Sequence, residues 1–252
     1  MISGKPQSLE DIRSRDTLNQ VSILQALSQG DFMGSISVAD LRTLGDTGIG
    51  TFDGLEGELI MVGGDVFQAR ADGLTVAATD AMTVPFADVT FMDSEMIFEL
   101  EAPLTFNGLC QELTEQVKSY NANLFYMATI ECALSKLVVR SALPRWSGEG
   151  TLAEHMVLAQ KTFSYEDVRG TIVALYCPPF MSGLNMPGWH LHFISDDRTV
   201  GGHILDLELE QGFVTLDQTR GFNMVLPDAD SGYAAMDLTI DQSADLKKVE
   251  SK

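Results

Sequence analysis

Apolar residues recur at helical spacing in a few stretches of the chain and at strand spacing in many more. The clearest helix has Thr105 as its cap and apolar positions three or four residues apart, at Phe106, Leu109, Leu113 and Val117. Shorter helices are predicted after three other capping residues, Ser22, Ser37 and Thr151. Helices therefore account for a minor part of the predicted fold.

Strand-like runs of apolar residues fill most of the remaining chain. Residues 57–62 and 66–70 flank Gly63-Gly64-Asp65, which predicts a hairpin. Further strands are predicted at 86–91, 96–100, 124–130 and 134–139, and then at 170–176, 190–194, 203–208, 213–216 and 221–226. After residue 162 the pattern is almost entirely of the strand type.

These elements predict a strand-rich α+β protein of two domains. Residues 1–17 form a polar N-terminal segment, and residues 18–162 form an α+β domain in which helices accompany a mixed sheet. Residues 163–252 form a mostly antiparallel β domain followed by a polar C-terminal tail. With 252 residues, 45% of them hydrophobic, the chain is long enough to build both cores.

Three of the four histidines fall within fourteen residues, at His190, His192 and His203. On a strand, His190 and His192 lie on one face. A hairpin centred between Asp197 and Arg198 places His192 directly opposite His203, so all three imidazoles converge. Three histidine ligands with a fourth position open are typical of a catalytic zinc site. Imidazole also suits iron, nickel or copper, so the spacing alone leaves the metal open.

Histidines can also serve purely structural roles or belong to a different class of metal site. A single histidine is more often structural than a ligand, and His155, in a predicted helix without partners, is interpreted in that way. Cupins also carry His-x-His on a strand, but they usually add a nearby Glu and a distant third histidine, so a cupin-like hydrolase or dioxygenase fits poorly. A metal-binding module without activity and a structural interaction protein stay open as alternatives.

Charge and cysteine content narrow the possible partners. Asp and Glu number 36 against 16 Lys and Arg, a formal net charge of −20, which disfavours binding to nucleic acid or to anionic membranes. An anionic substrate would need a locally positive site.

Three cysteines without Cys-x-x-Cys spacing predict buried thiols rather than disulfides. No secretory signal or membrane-length apolar run is recognised, so a cytoplasmic protein is expected.

Two long segments carry a resemblance to a known family. GWHLHFISDDRTVGGHILDLELEQG, at residues 188–212, resembles the metal-binding segment of bacterial alpha-acetolactate decarboxylases, and so does GDTGIGTFDGLEGELIMVGGDVFQARADG at residues 45–73. The helix VSILQALSQG and the run Thr83–Ala87 also fit. The resemblance extends in order from about residue 18 to the C-terminus.

The resemblance implies a role for individual residues. The histidine trio matches zinc ligands, and no organic cofactor is implied. Glu58 matches an acidic residue at the metal, Thr51 a polar residue of the pocket and Arg140 the arginine of the site. Glu250 matches a carboxylate that the C-terminal tail returns to the metal. The segment VVRSALPRW departs from the family's usual Arg-Thr-Val-Pro, which leaves Arg145 as a rival to Arg140.

The implied reaction is the metal-dependent decarboxylation of (S)-2-acetolactate to (R)-acetoin and carbon dioxide. Zinc would act as a Lewis acid on the hydroxyl and ketone oxygens, and Arg140 would hold the carboxylate. Glu58 and Glu250 would orient ligands or relay a proton. The family also implies a homodimer, and exposed edges of the N-terminal sheet make one plausible.

Overall fold

Two large β-sheets, with short helices around them, make up the part of the chain that this computed structural model describes, residues 15–145 and 150–239. The α-helices are α1 (Leu24–Ser28), α2 (Val38–Leu41), α3 (Phe106–Tyr120) and α4 (Leu152–Ala159). Thr105, Ser37 and Thr151 cap α3, α2 and α4 with their side chains, which confirms three of the predicted caps. Ser22 does not cap α1, because the residue that precedes this helix is Ile23.

The first sheet has seven strands. They are β1 (Thr17–Val21), β3 (Thr47–Thr51), β4 (Glu58–Val62), β5 (Asp65–Ala69), β6 (Thr75–Ala77), β8 (Phe86–Thr90) and β15 (Gly221–Val225). Their order is β15-β1-β8-β3-β4-β5-β6. The β1–β15 pair is parallel and the other pairs are antiparallel, so the sheet is mixed, as predicted. Two short strands, β2 (Ile36–Ser37) and β7 (Thr83–Val84), pair separately.

The second sheet contains three very long strands. Its members are β9 (Met96–Glu99), β10 (Leu104–Thr105), β11 (Phe125–Ala142), β12 (Gln160–Cys177), β13 (Gly188–Ser195) and β14 (Gly201–Thr219). All pairs are antiparallel, and β11, β12, β13 and β14 form a closed ring of pairings. Closure of this ring fixes β13 and β14 side by side.

The strand breaks predicted near residues 131–133 and 209–212 are wrong. The strands predicted at 124–130 and 134–139 are one continuous strand, β11, which begins at Phe125 and has 18 residues. Residues 203–216 likewise belong to β14, which has 19 residues. The pairing of β11 with β14 shifts register around Leu134, so polar residues are accommodated by irregular pairing rather than by a turn.

Apolar side chains join the two sheets face to face. Leu18, Ile49 and Ile60 of the first sheet share a buried cluster with Val173 and Ile194 of the second. On the second sheet, another cluster includes the buried face of α3, formed by Leu109, Leu113 and Val117. The site described below is formed where β3 and β4 of the first sheet meet β11, β13 and β14.

The predicted domain boundary at residue 162 lies inside β12, which pairs with β11 from Gln160 onward. After β14, which belongs to the second sheet, the chain returns to the first sheet as β15. A division into two domains at that point stays a prediction.

Within the described residues, none of the helices is long and apolar enough to span a membrane. Cys132 and Cys177 are buried, Cys110 is half-buried, and all three thiols are free.

Candidate metal centre

The hairpin between β13 and β14 brings the three clustered histidines together. His192 pairs with His203 across the strands, which confirms the predicted register, and His190 lies two residues earlier on the same face of β13. His190 Nε2 is 2.9 Å from His203 Nδ1 and 3.1 Å from His192 Nε2. One ring nitrogen from each histidine therefore points to a common centre, with all three atoms within 4.8 Å of one another.

The polar turn of this hairpin is held by its own side chains. The Asp197 carboxylate accepts hydrogen bonds from Ser195 Oγ at 2.7 Å and from Thr199 Oγ1 at 2.8 Å. Arg198 adopts a positive φ of 62°, which reverses the chain. These contacts set the register on which the meeting of His192 and His203 depends.

Burial keeps His190 and His203 neutral. His192 is 1% exposed and His203 is 4% exposed, while His190 is half-buried and lines the adjoining cavity. Burial, followed by the positive charge of Arg140, lowers the pKa of His190 to about 3. The pKa of His203 also falls well below its usual value, from burial and then from Arg140. A neutral imidazole retains the lone pair with which it can bind a metal.

The tautomer of His192 follows from its second ring nitrogen. His192 Nδ1 lies 2.8 Å from the carbonyl oxygen of Leu59 in β4. A carbonyl can only accept, so Nδ1 carries a proton, and in the neutral imidazole Nε2 then keeps its lone pair towards the centre. A hydrogen bond of this type orients a metal-binding histidine and makes it more basic.

Glu58 and Thr51 approach the histidines from the first sheet. They pair with each other across β3 and β4, so their side chains share one face. Glu58 Oε2 lies 3.6 Å from His192 Nε2. Thr51 is buried, and its hydroxyl donates to the carbonyl oxygen of Gly57 at 2.9 Å. Both residues line the same cavity as His190 and His203.

Arg140 reaches this cavity and Arg145 does not line it. Arg140, in β11, pairs with His203 across the strands and is 4% exposed. It lines the cavity together with Glu58 and His190. Arg145 lies beyond the end of β11, where its backbone NH donates to the carbonyl oxygen of Gly54 at 2.6 Å. The geometry thus favours Arg140 in the predicted arginine role.

Two histidine-site questions raised by the sequence concern His155 and Glu250. His155 is in α4, 2% exposed, with Nε2 2.9 Å from the carbonyl oxygen of Leu143, and it takes no part in the histidine cluster. Glu250 lies outside the described residues, so its role stays a prediction. A larger cavity of about 580 Å³, lined by Glu131, Arg169 and other polar residues, contains none of the predicted site residues.

The apolar wall of the histidine cavity was not predicted from the sequence. The cavity holds about 60 Å³ and is closed by apolar side chains of α1, α4 and the adjoining strands and loops: Leu24, Leu27, Leu55, Phe86, Ala142, Leu152 and Met156. Leu152 and Met156 are four residues apart on α4, so helical spacing marks them as one face. That spacing alone does not reveal which cavity the face closes.

Comparison with known proteins agrees with this geometry. Residues 18–240 match the family model described as alpha-acetolactate decarboxylase. An alpha-acetolactate decarboxylase of Methanosarcina mazei is 38% identical, over 98% of this chain and 88% of that protein. One from Lactococcus lactis is 35% identical, over 89% of this chain and 93% of that protein.

A solved structure supports the same assignment. The crystal structure of alpha-acetolactate decarboxylase from Bacillus subtilis superimposes with a TM-score of 0.88 and 30% sequence identity, covering 94% of this chain and 100% of that one. Its likeness extends over both sheets and not only over the histidine segment. The chain therefore belongs to the alpha-acetolactate decarboxylase family, enzymes that remove the carboxylate of acetolactate as carbon dioxide.

Proposed function

We propose that the histidine cavity binds one Zn²⁺ and converts (S)-2-acetolactate to (R)-acetoin. The observation that carries this proposal is the convergence of three histidine ring nitrogens beside a cavity that His190 and His203 line together with Arg140. Family membership leaves the cupin-like alternative without support.

The donor set fits a zinc ion. Zinc takes imidazole nitrogens at about 2.0–2.1 Å in tetrahedral sites, which separates neighbouring nitrogens by about 3.3 Å. The nitrogen pairs at 2.9 and 3.1 Å would need to move apart by only a few tenths of an ångström. Three protein ligands leave a position for substrate, the arrangement of catalytic rather than structural zinc sites.

When bound, Zn²⁺ would supply a Lewis acid for the substrate's hydroxyl and ketone oxygens. In the reaction the bond between the carboxylate and the hydroxyl-bearing carbon breaks, and its electron pair passes to the neighbouring ketone. One proton then returns to the carbon that lost carbon dioxide, so each turnover consumes a proton.

Arg140 is proposed to bind the substrate carboxylate. Its guanidinium can make two parallel hydrogen bonds to a carboxylate, which fixes both position and orientation. Because Arg140 is buried, its charge is poorly screened by water and acts strongly on an anion in the cavity. This local positive charge offsets the repulsion of an anionic substrate that is expected from a chain of net charge −20.

Glu58 and Thr51 are proposed to handle the substrate hydroxyl and its proton. Glu58 lies 3.6 Å from His192 Nε2, close enough for its carboxylate to orient a group bound beside that nitrogen and to relay a proton. Thr51 donates to Gly57, so its oxygen can still accept a hydrogen bond from a polar group in the cavity.

The apolar wall is proposed to give the product its handedness. Leu24, Leu27, Leu152 and Met156 carry no group that can give up a proton, and they restrict water on their side of the cavity. A proton can then arrive only from the polar side, where Glu58 and Arg140 lie. Protonation from one side yields acetoin of a single configuration.

A homodimer is also proposed. Among the described strands, β6 and β15 form the edges of the seven-stranded sheet, and Leu74 beside β6 is 58% exposed. Exposed edges with apolar side chains are common places for a second chain to pair. Light scattering should give twice the mass of one chain, and a monomer at all working concentrations would contradict this.

Removal and return of the metal tests the proposed function. The protein is dialysed against a chelator, and acetoin release from racemic acetolactate is measured before dialysis, after it, and after adding Zn²⁺, Fe²⁺, Ni²⁺ or Cu²⁺. Activity should vanish with the metal and return best with about one Zn²⁺ per chain. Full activity in protein that elemental analysis finds free of metal would contradict the proposal.

A further inference from the structure

Three carboxylates meet at a junction between the two sheets, separate from the histidine cavity. Asp16 immediately precedes β1 of the first sheet, Glu95 immediately precedes β9, and Asp217 lies near the end of β14. One oxygen of each side chain lies within 4.8 Å of the others. The backbones are close as well, since the NH of Gly221 donates to the carbonyl oxygen of Asp16 at 2.7 Å.

Asp217 is buried in a way that a carboxylate rarely tolerates alone. It is 1% exposed, and neither of its carboxylate oxygens has a hydrogen-bond partner of normal geometry among the described residues. Buried carboxylates are nearly always paired, because an isolated buried charge is strongly unfavourable. Thr219, two residues on and therefore on the same face of β14, is fully buried, and its hydroxyl oxygen also has no such partner there.

The charges around Asp217 increase the need for a positive partner. Burial, followed by repulsion from Glu95, raises the pKa of Asp217 to about 8, although a hydrogen bond from the backbone of Asp93 opposes the increase. Arg15, next to Asp16 in the chain, has its guanidinium 3.2 Å from Asp93. Among the described residues, a buried Asp217 without a hydrogen-bond partner of normal geometry therefore favours a proton or a metal cation beside its carboxylate.

We propose that Asp16, Glu95 and Asp217 bind a hard divalent cation, Ca²⁺ in preference to Mg²⁺, which fastens the two sheets together. Ca²⁺ takes oxygen ligands at about 2.3–2.6 Å, so two oxygens on opposite sides of one ion are about 4.8 Å apart. One oxygen of each of the three carboxylates lies within 4.8 Å of the other two, so a single Ca²⁺ could contact all three. Mg²⁺ demands shorter, nearly octahedral contacts and keeps most of its water, which suits a site of converging carboxylates less well.

This cation would be chemically distinct from the metal of the histidine cavity. Carboxylates select Ca²⁺, whereas imidazoles select zinc and similar metals. The ion would link the start of β1 to the end of β14, just before the chain crosses into β15. Its role would be structural, joining three chain segments that are far apart in sequence.

Calcium binding and thermal melting of zinc-loaded protein test the proposal. After removal of free Ca²⁺, elemental analysis confirms that zinc is retained, and Ca²⁺ binding is measured by equilibrium dialysis. The parent should bind one Ca²⁺ per chain, and its Tm should rise by about 5–10 °C at a hundredfold excess of Ca²⁺ over Kd. Mg²⁺ at the same concentration should raise it less.

Two variants and a control locate the effect. Asp217→Asn and Glu95→Gln should each lose the Ca²⁺ and its effect on Tm, while Glu208→Gln, an exposed carboxylate on the same strand, should keep both. Without Ca²⁺, Asp217→Asn should melt at or above the parent, because it removes a repelled charge. If Asp217→Asn fails to fold, the Ca²⁺ binding and the Tm of Glu95→Gln test the proposal instead.

Two results would overturn the proposal. One is Ca²⁺ binding that is absent from the parent, or equal in the parent and in Glu95→Gln. The other is a parent whose Tm rises on acidification but does not respond to Ca²⁺, since a proton would then compensate the cluster. His192→Ala should keep the Ca²⁺ even where it loses zinc, so the two sites can fail independently.

Discussion

Arg140 lines the same cavity as His190 and His203, and its positive charge acts on both imidazoles. The charge of Arg140 helps to keep His190 and His203 neutral, through lowered pKa values. The same charge is available to an anion that enters the cavity. In the proposed function, this one buried arginine would therefore keep His190 and His203 able to bind a metal and would also attract the substrate.

Replacement of Arg140 by lysine should separate these two effects. Arg140→Lys keeps a positive charge but loses the planar pair of donors, so turnover should fall by about tenfold to a hundredfold, the value of one hydrogen bond to a charged group. Zinc content should stay at the parent's level. Steady-state acetoin formation and elemental analysis measure both.

Arg145→Lys is the matched control, because Arg145 contacts Gly54 through its backbone and does not line the cavity. It should turn over like the parent. A severe loss in Arg145→Lys together with a mild one in Arg140→Lys would reverse the assignment.

At the residue scale, the sequence predicted the polar side of the cavity better than its apolar side. The histidines could be placed because strand alternation and a single turn determine their faces. Glu58, Thr51 and Arg140 required the family resemblance, since each is an ordinary residue of a strand. Leu152 and Met156 could be assigned to a helix face, but the position of α4 over the cavity depends on tertiary packing.

Among the elements, the β13–β14 hairpin depends on a close approach to β11. Gly202, next to His203, has a φ of 145°, and a Cβ there would lie 2.7 Å from the carbonyl oxygen of Arg140 and 3.0 Å from Val139 Cβ. A side chain at this position would push β14 away from β11 just where His203 and Arg140 pair.

Gly202→Ala should therefore weaken metal binding as well as stability. We expect a loss of about 1–3 kcal/mol in the free energy of unfolding and a clear fall in zinc content. Gly63→Ala is the control, since Gly63 also has a positive φ, of 58°, but no atom lies within 4 Å of its added Cβ. It should lose stability while keeping zinc. Full zinc retention in Gly202→Ala would show that this approach does not position His203.

At the same scale, element types were predicted more reliably than element ends. Helix caps such as Thr105 and Thr151 act within one turn and can be recognised locally. The lengths of β11 and β14 could not be predicted, because Gly212 and its polar neighbours resemble a turn in sequence. Pairing of Gly212 with Cys132 continues the strand instead, a long-range contact that local patterns do not contain.

For the whole molecule, a buried polar network joins the first sheet to the loop before β13. Asn185 Nδ2 donates to Asp88 Oδ2 and to Gln20 Oε1, each at 2.9 Å. Asp88 is fully buried, and this burial raises its pKa to about 7, although the hydrogen bond from Asn185 opposes the increase. The folded protein thus holds a proton on Asp88 that the unfolded chain releases near pH 4.

The stability of the fold should consequently decrease as the pH rises through this range. Since the pKa of Asp88 is higher in the folded state, its contribution is fully present below the unfolded pKa of about 3.8 and is lost as the pH rises to about 7. When the pH rises from 5 to 7.5, the free energy of unfolding should fall in the parent by about 2 kcal/mol more than it falls in Asp88→Asn.

Urea denaturation at both pH values measures this difference. Asp228→Asn, the same change at an exposed position, should behave like the parent. Identical pH dependence in the parent and in Asp88→Asn would mean that Asp88 is already ionised in the folded protein near pH 5.

For the molecule as a whole, the fold class could be predicted from the sequence, but the order and pairing of the strands in the two sheets could not. Alternating apolar positions are enough to indicate a strand-rich α+β protein. The parallel pairing of β15 with β1 joins residues about two hundred positions apart, and the ring of β11 to β14 closes through backbone pairing of strands that no local pattern connects.

The histidines at 190, 192 and 203 are proposed to hold the metal at which acetolactate is decarboxylated. Zinc content and acetoin release, measured together in His192→Ala, His155→Ala and the parent, test this role. His192→Ala should lose most of its zinc and its turnover. His155→Ala should keep both in the protein that folds, although loss of a buried hydrogen bond lowers its stability. Equal zinc and equal turnover in the two variants would contradict the claim.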